Sequence, residues 1–193
     1  MTLRNMTASL LFAGLTFNSA ALLAEDYVID TKGAHAFIQF RVQHLGYSWL
    51  YGRFNEFSGQ FSYDEKAPES ASVEVTIKTA SVDSNHAERD KHLRSDDFLD
   101  VKKYPEARFI STSYTPGKDG KGILKGNLTL HGVTKPVEIE MYSVGAGKDP
   151  WGGYRRGFEG KTKFAMSDFG IVKDLGPKSK DVEMTLSLEG IKK

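Results

Sequence analysis

The sequence predicts a mainly β fold: an antiparallel barrel of about eight strands with one short helical crossover near residues 85–98. Three observations predict it. Apolar and polar residues alternate with period two in stretch after stretch from Tyr27 onward. Gly, Pro, Asn and Asp punctuate the stretches at hairpin spacing. A single segment has helical composition, too few for the crossover helices that a parallel sheet needs between neighbours. A β-sandwich is the structural alternative.

Taken in order, Tyr27 to Asp30 reads as a short opening strand and Ala34 to Leu45 as a long one. In the latter, Ala36, Ile38, Phe40 and Val42 oppose His35, Gln39, Arg41 and Gln43. Gly46 to Gly52 reads as an aromatic connection bounded by glycines, and Arg53 to Tyr63 as a strand. After the turn at Ala67-Pro68-Glu69, Val73, Val75 and Ile77 define a half-buried strand. Asn85 to Asp96 is rich in charge and poor in β-branched residues, with Ser84 or Asn85 as cap, and Pro105 lies beyond it. Strands at Arg108–Tyr114, Ile123–Leu130, Pro136–Val144, Arg155–Met166 and Asp181–Leu188 complete the set.

The chain has 193 residues, enough for one domain with a substantial core. Arg4, the apolar run Leu10 to Phe17 and the small residues Asn18-Ser19-Ala20-Ala21 have the layout of a secretory signal peptide. That run is far shorter than the roughly 20 residues that span a bilayer. The expected organisation is a leader over 1–24, cleaved after Ala24, and a barrel over 25–193. Loss of Arg4 leaves 25 basic and 25 acidic residues, a balance that gives no electrostatic footprint for nucleic acid. Zero cysteines exclude disulfides, thiolate metal sites and cysteine nucleophiles.

The five histidines, His35, His44, His86, His92 and His131, form no metal motif, and His86 and His92 are poorly placed to share a helix face. Neither a nucleophile elbow nor a phosphate-binding loop occurs, so no catalytic, metal or cofactor site is assigned. His44 continues the face of Ile38, Phe40 and Val42: it either meets a ligand headgroup or is buried against backbone. Arg89, Asp90, His92 and Arg94 form a charged cluster, read first as a solvated helix and second as headgroup contacts. Asp149-Pro150-Trp151-Gly152-Gly153 reads as a turn with Trp151 packed across it.

Several blocks resemble one family. His35-Ala36-Phe37-Ile38-Gln39-Phe40-Arg41-Val42-Gln43-His44-Leu45-Gly46 and Gly52-Arg53-Phe54-Asn55-Glu56-Phe57-Ser58-Gly59 are similar to the opening of the YceI family of bacterial periplasmic proteins. The segment Ser81 to Phe98, Tyr104-Pro105 with Phe109, Gly126 to Val137, and Asp168-Phe169-Gly170-Ile171 follow in the family's order. The resemblance covers the whole mature chain. It implies a lipocalin-like barrel with an elongated apolar cavity, a periplasmic location, and an isoprenoid quinone, polyprenyl lipid or similar long-chain amphiphile as ligand.

Alternation then nominates Ile38, Phe40, Val42, His44, Val75, Ile77, Phe109, Leu128, Leu130, Ile139, Met141, Phe164, Met184 and Leu186 as cavity residues. Trp49 joins them at the mouth, with His44 and Arg89 as headgroup candidates. Strands of roughly ten residues tilted about 40° give a barrel about 25 Å tall, shorter than the roughly 40 Å of eight isoprene units, so a long tail folds or protrudes. Transient membrane contact is expected of a carrier. Two other readings are a filled barrel that serves as a stress-responsive envelope interaction protein through Trp49, Tyr51 and Trp151, and a lipid-modifying enzyme.

Overall fold

The computed structural model describes residues 24–193. The expected export signal falls on 1–23 and lies outside the described residues. Eleven strands form one antiparallel sheet: β1 Glu25–Ile29, β2 Phe37–His44, β3 Ser48–Phe54, β4 Phe57–Tyr63, β5 Ser72–Lys78, β6 Val82–Asp83, β7 Glu106–Pro116, β8 Lys121–Leu130, β9 Val133–Lys148, β10 Tyr154–Ala165 and β11 Asp181–Lys192. Eight of them close a ring in the order β1, β4, β5, β7, β8, β9, β10, β11, and β11 returns to β1 through Tyr27 opposite Lys192 and Ile29 opposite Gly190. Closure leaves the ring without a free edge and distinguishes it from the sandwich alternative.

β1 and β2 run along the same side of β11, one above the other. Val182 to Ser187 pair with β2, while Gly190 to Lys192 pair with β1. Between them the chain leaves the ladder at Asp30, whose Oδ1 accepts the Gly33 amide at 2.8 Å, and Ala34 adopts a φ of 57°. The strand expected to start at Ala34 therefore starts at Phe37. β3 and β4 are broken at the matching level, so β2 and β3 form an upper hairpin that ends on the two-residue β6.

Two expectations are corrected here. Gly46 to Gly52 is mostly strand, because Leu45 and Gly46 take φ of 51° and 88° and turn the chain within three residues, placing Ser48 opposite His44. The helix, α1, spans only Ala87–Leu93. Its cap is His86, whose Nδ1 accepts the Arg89 amide at 3.3 Å, rather than Ser84 or Asn85. Ser84 instead donates its amide to the buried carboxylate of Asp90 at 2.8 Å, and Asn85 sits at a φ of 60°.

One ion cluster fastens the break between β1 and β2 to the barrel. Arg155 Nη1 reaches Asp30 Oδ2 at 2.7 Å and Glu189 Oε1 at 2.5 Å, while Nε reaches Asp149 at 2.9 Å. Asp30, His35 and Glu189 converge closely enough to suggest a metal site, but the Arg155 guanidinium already supplies their cation. The His35 ring and Arg155 together hold the Asp30 carboxyl at about 2.

The folded state therefore keeps Asp30 ionised while the unfolded carboxyl, titrating near 3.8, takes up its proton first. The contribution is full above about pH 4 and is lost as pH falls towards 2. Asp30→Asn should cost about 2 kcal/mol at neutral pH and flatten the acid limb of stability, as measured by urea melts from pH 2 to 7.

Candidate ligand-binding cavity

Alternation around the ring sends one face of every strand inward. Where the inward residue is aromatic, the neighbouring strand often supplies glycine. Phe40 stands opposite Gly52, and a Cβ added to Gly52 would lie 2.3 Å from the Phe40 ring. Phe109 covers Gly126 and Tyr114 covers Gly122 in the same way, whereas Phe61 reaches past β1 to Gly190 of β11 and belongs to the cluster at one end. The Phe40, Phe109 and Tyr114 rings lie against the wall instead of reaching across the barrel, and a cavity of about 400 Å³ remains along the axis. That size is typical of small-molecule sites.

The wall is apolar over its length: Ile38, Phe40, Val42, Val75, Ile77, Phe109, Leu128, Leu130, Ile139, Met141, Phe164, Met184 and Leu186 all line it. Leu50, Phe54, Leu124, Val137, Phe158, Val182 and Leu188 belong to the same surface and were missed by sequence reading. Most could have been found by extending the same alternation. Leu50 could not, because the residues before Arg53 were read as a connection, and Phe54 lies in a stretch whose aromatic residues, Phe54 against Phe57 and Phe61, fall on both faces of one continuous strand.

One end is filled. Tyr27, fully buried, stacks on Phe61 at 4.8 Å, and Phe158 meets the rings of Phe61 and Tyr63 at 5.6 and 5.4 Å. Behind them Arg156, only 5% exposed, lies 4.6 Å from the Tyr63 ring and donates to Glu65 at 2.5 Å. At the other end the inward-facing His44 is exposed, so the lumen reaches the surface there. Its rim is completed by Arg89, His92, Leu93, Phe98 and Leu99 from α1 and the residues after it, and by Ile171 and Leu175.

The headgroup candidates fare differently. His44 lies at the mouth. Arg89 lines the cavity, but its guanidinium is already engaged by Ser84, with Nε to Oγ at 2.7 Å and Nη2 to the carbonyl at 2.5 Å. His92, whose cluster had headgroup contact only as its second reading, lies in the wall and is fixed by Asp97 at 2.8 Å and by edge contact with Phe98. Lys173 and His92 hold the Asp97 carboxyl below its usual range. Trp49 is a correction: it pairs with Gln43 on the outer face, under Arg41 at 4.1 Å, and does not touch the lumen. One residue of register separates it from the inward Leu50.

A closed antiparallel barrel of eight strands around an apolar lumen is of the lipocalin-like kind. The YceI-like domain family matches residues 27–190, and the chain belongs to that family. It is 59% identical over 189 residues to a UPF0312 protein of Shewanella denitrificans, covering 98% of each chain. A UPF0312 protein of Pseudomonas aeruginosa is 56% identical over 190 residues, covering 98% of this chain and 99% of the relative.

Among solved structures, the Campylobacter jejuni YceI protein superposes with a TM-score of 0.71 at 32% identity, covering 79% of this chain and 90% of that one. Burkholderia cenocepacia BcnA gives 0.75 at 23% identity, over 83% and 98% of the two chains. A polyisoprenoid binding domain from Saccharophagus degradans gives 0.65 at 16% identity, over 89% and 99%. The last two share the fold.

Gly52→Ala should drive the Phe40 ring into the lumen, costing about 1–3 kcal/mol and lowering uptake of a fluorescent prenyl probe. Trp49→Ala should leave that uptake unchanged. Denaturant melts and probe titration read the two effects separately.

Proposed function

We propose that this chain is a periplasmic carrier or reservoir for an isoprenoid lipid, such as a quinone or polyprenyl lipid, or a similar long-chain amphiphile. The observation that carries the reading is the lumen, apolar along its length with His44, Arg89 and His92 gathered at its open end. A chain-like ligand fits that division, its tail inside and its polar end at the mouth. Family membership and likeness to a domain described as polyisoprenoid binding support it. The leader layout of the N-terminal residues supports the periplasmic assignment.

The energetics are favourable. About twenty buried carbons release on the order of 16 kcal/mol at ~0.8 per CH₂, against association costs of about 4–15 kcal/mol. Within the wall Thr162 spends its hydroxyl on the Glu138 carbonyl at 2.7 Å, and the remaining polar chemistry sits towards the ends. That distribution favours binding over catalysis. The filled-barrel reading loses its premise to the open lumen, and Trp49 and Trp151 lie under Arg41 and near Arg155 respectively, towards opposite ends of the barrel.

Protein purified natively from its own host and extracted into organic solvent should yield an isoprenoid lipid by mass spectrometry. Met184→Trp, which fills the middle of the lumen, should lose that lipid while the lipid-free variant melts no lower than lipid-free wild type. Repeated recovery of protein without lipid, or a wild-type lipid load in Met184→Trp, overturns the reading.

A further inference from the structure

The open end of the barrel carries an apolar rim that ligand binding itself does not use. In the turn between β2 and β3, Leu45 is 54% and Tyr47 88% exposed. Segment 170–180 packs against this turn: the Leu45 amide donates to Ser179 Oγ at 3.3 Å, and the buried Ser179 hydroxyl donates to the Gln43 carbonyl at 2.6 Å. The Leu45 side chain also approaches Gly176, and Lys178 approaches Gly46, so the two segments form one surface. Val172, 80% exposed, follows Ile171 of the cavity rim in the same segment.

The same segment is basic. Lys173, Lys178 and Lys180 are exposed. Lys173 pairs with Asp97 at 2.8 Å, whereas among the described residues Lys178 and Lys180 have no ion-pair partner. Asp174 is the one acid in 171–180, and its Oδ1 accepts the Gly176 amide at 2.8 Å.

We propose that this rim docks the open end of the barrel on an anionic lipid bilayer, with Leu45, Tyr47 and Val172 in the headgroup layer and Lys178 and Lys180 on anionic headgroups. The proposal rests on the reading of the lumen as a lipid site, because docking would let a lipid pass between bilayer and lumen without crossing water. Two observations select a membrane as occupant. The apolar residues are single side chains on a tip, suited to a soft interface, with an aromatic ring that is amphipathic. The unpaired lysines flank them beside the opening, and each basic residue near an anionic leaflet adds about fivefold to binding.

The test is co-sedimentation of the mature protein with phosphatidylcholine vesicles, with and without phosphatidylglycerol, alongside uptake of geranylgeraniol in solution. Wild type should sediment with the anionic vesicles, stay in the supernatant with neutral ones, and be released by salt. Lys178→Glu with Lys180→Glu should weaken sedimentation by thirtyfold or more, and Tyr47→Ser by about fivefold, while thermal melting and geranylgeraniol uptake stay at wild-type values. Wild type left in the supernatant with anionic vesicles, as for a rim built for a protein, overturns docking; so do rim variants that sediment like wild type. Vesicle binding without uptake upholds docking and overturns the lumen reading, and uptake without vesicle binding does the reverse.

Discussion

Aromatic rings laid over glycines on neighbouring strands keep this barrel open. An eight-stranded barrel has an interior that side chains can fill, and rings at Phe40, Phe109 and Tyr114 are large enough to do so. Each has a glycine on the neighbouring strand beside it instead, at Gly52, Gly126 and Gly122. The missing Cβ gives the ring a place against the backbone. It gains contact on the wall side and presents a flat face to the lumen, so the aromatic content that suits strands also yields a smooth apolar tube.

The two ends are built from different physics. At the filled end, Tyr27, Phe61 and Phe158 stack into a cluster, and Arg156 satisfies its charge on Glu65 and the tyrosine rings. Outside the same end, Arg155 ties Asp30, Asp149 and Glu189 together across β1, β10 and β11. That cluster sits where β1 and β2 part, the weakest stretch of the ladder along β11. At the open end the ladder runs out at β6, and hydrogen bonds from Arg94 to the carbonyls of Ala80 and Val82 hold the residues after α1 in its place.

Much of this was legible in the sequence, for a definite reason. Period-two alternation survives wherever one face of a strand is buried, and it marked β2, β5, β8 and β11 correctly, including the inward set Ile38, Phe40 and Val42. Trp49 failed because a hairpin turn using Leu45 at positive φ is not signalled by composition; without the turn, the register of β3 could not be set, and one residue decides which face Trp49 takes. The helix ended early because its anchoring is tertiary: Asp90 bonds back to Ser84, and Arg94 bonds to Ala80 and Val82, contacts that propensity does not encode. The glycines were visible but ambiguous, since a glycine in a strand marks a bulge, a bend or a close approach equally well.

A barrel without cysteines must hold an open apolar tube by packing alone. Residues lining an empty lumen lack dispersion partners on one side, a deficit that grows with cavity volume. Continuous pairing around eight strands limits how far the wall can collapse to recover those contacts, and rings already seated on glycines have no vacant space behind them to retreat into. The deficit therefore stays available to a ligand. In the proposed carrier role, a tail entering this lumen supplies the contacts that the fold withholds from itself, so that binding and stability are linked through the same surface. The aromatic cluster at one end holds the fold whether or not the lumen is occupied, and under the proposed carrier role exchange falls to the end where His44 reaches the surface.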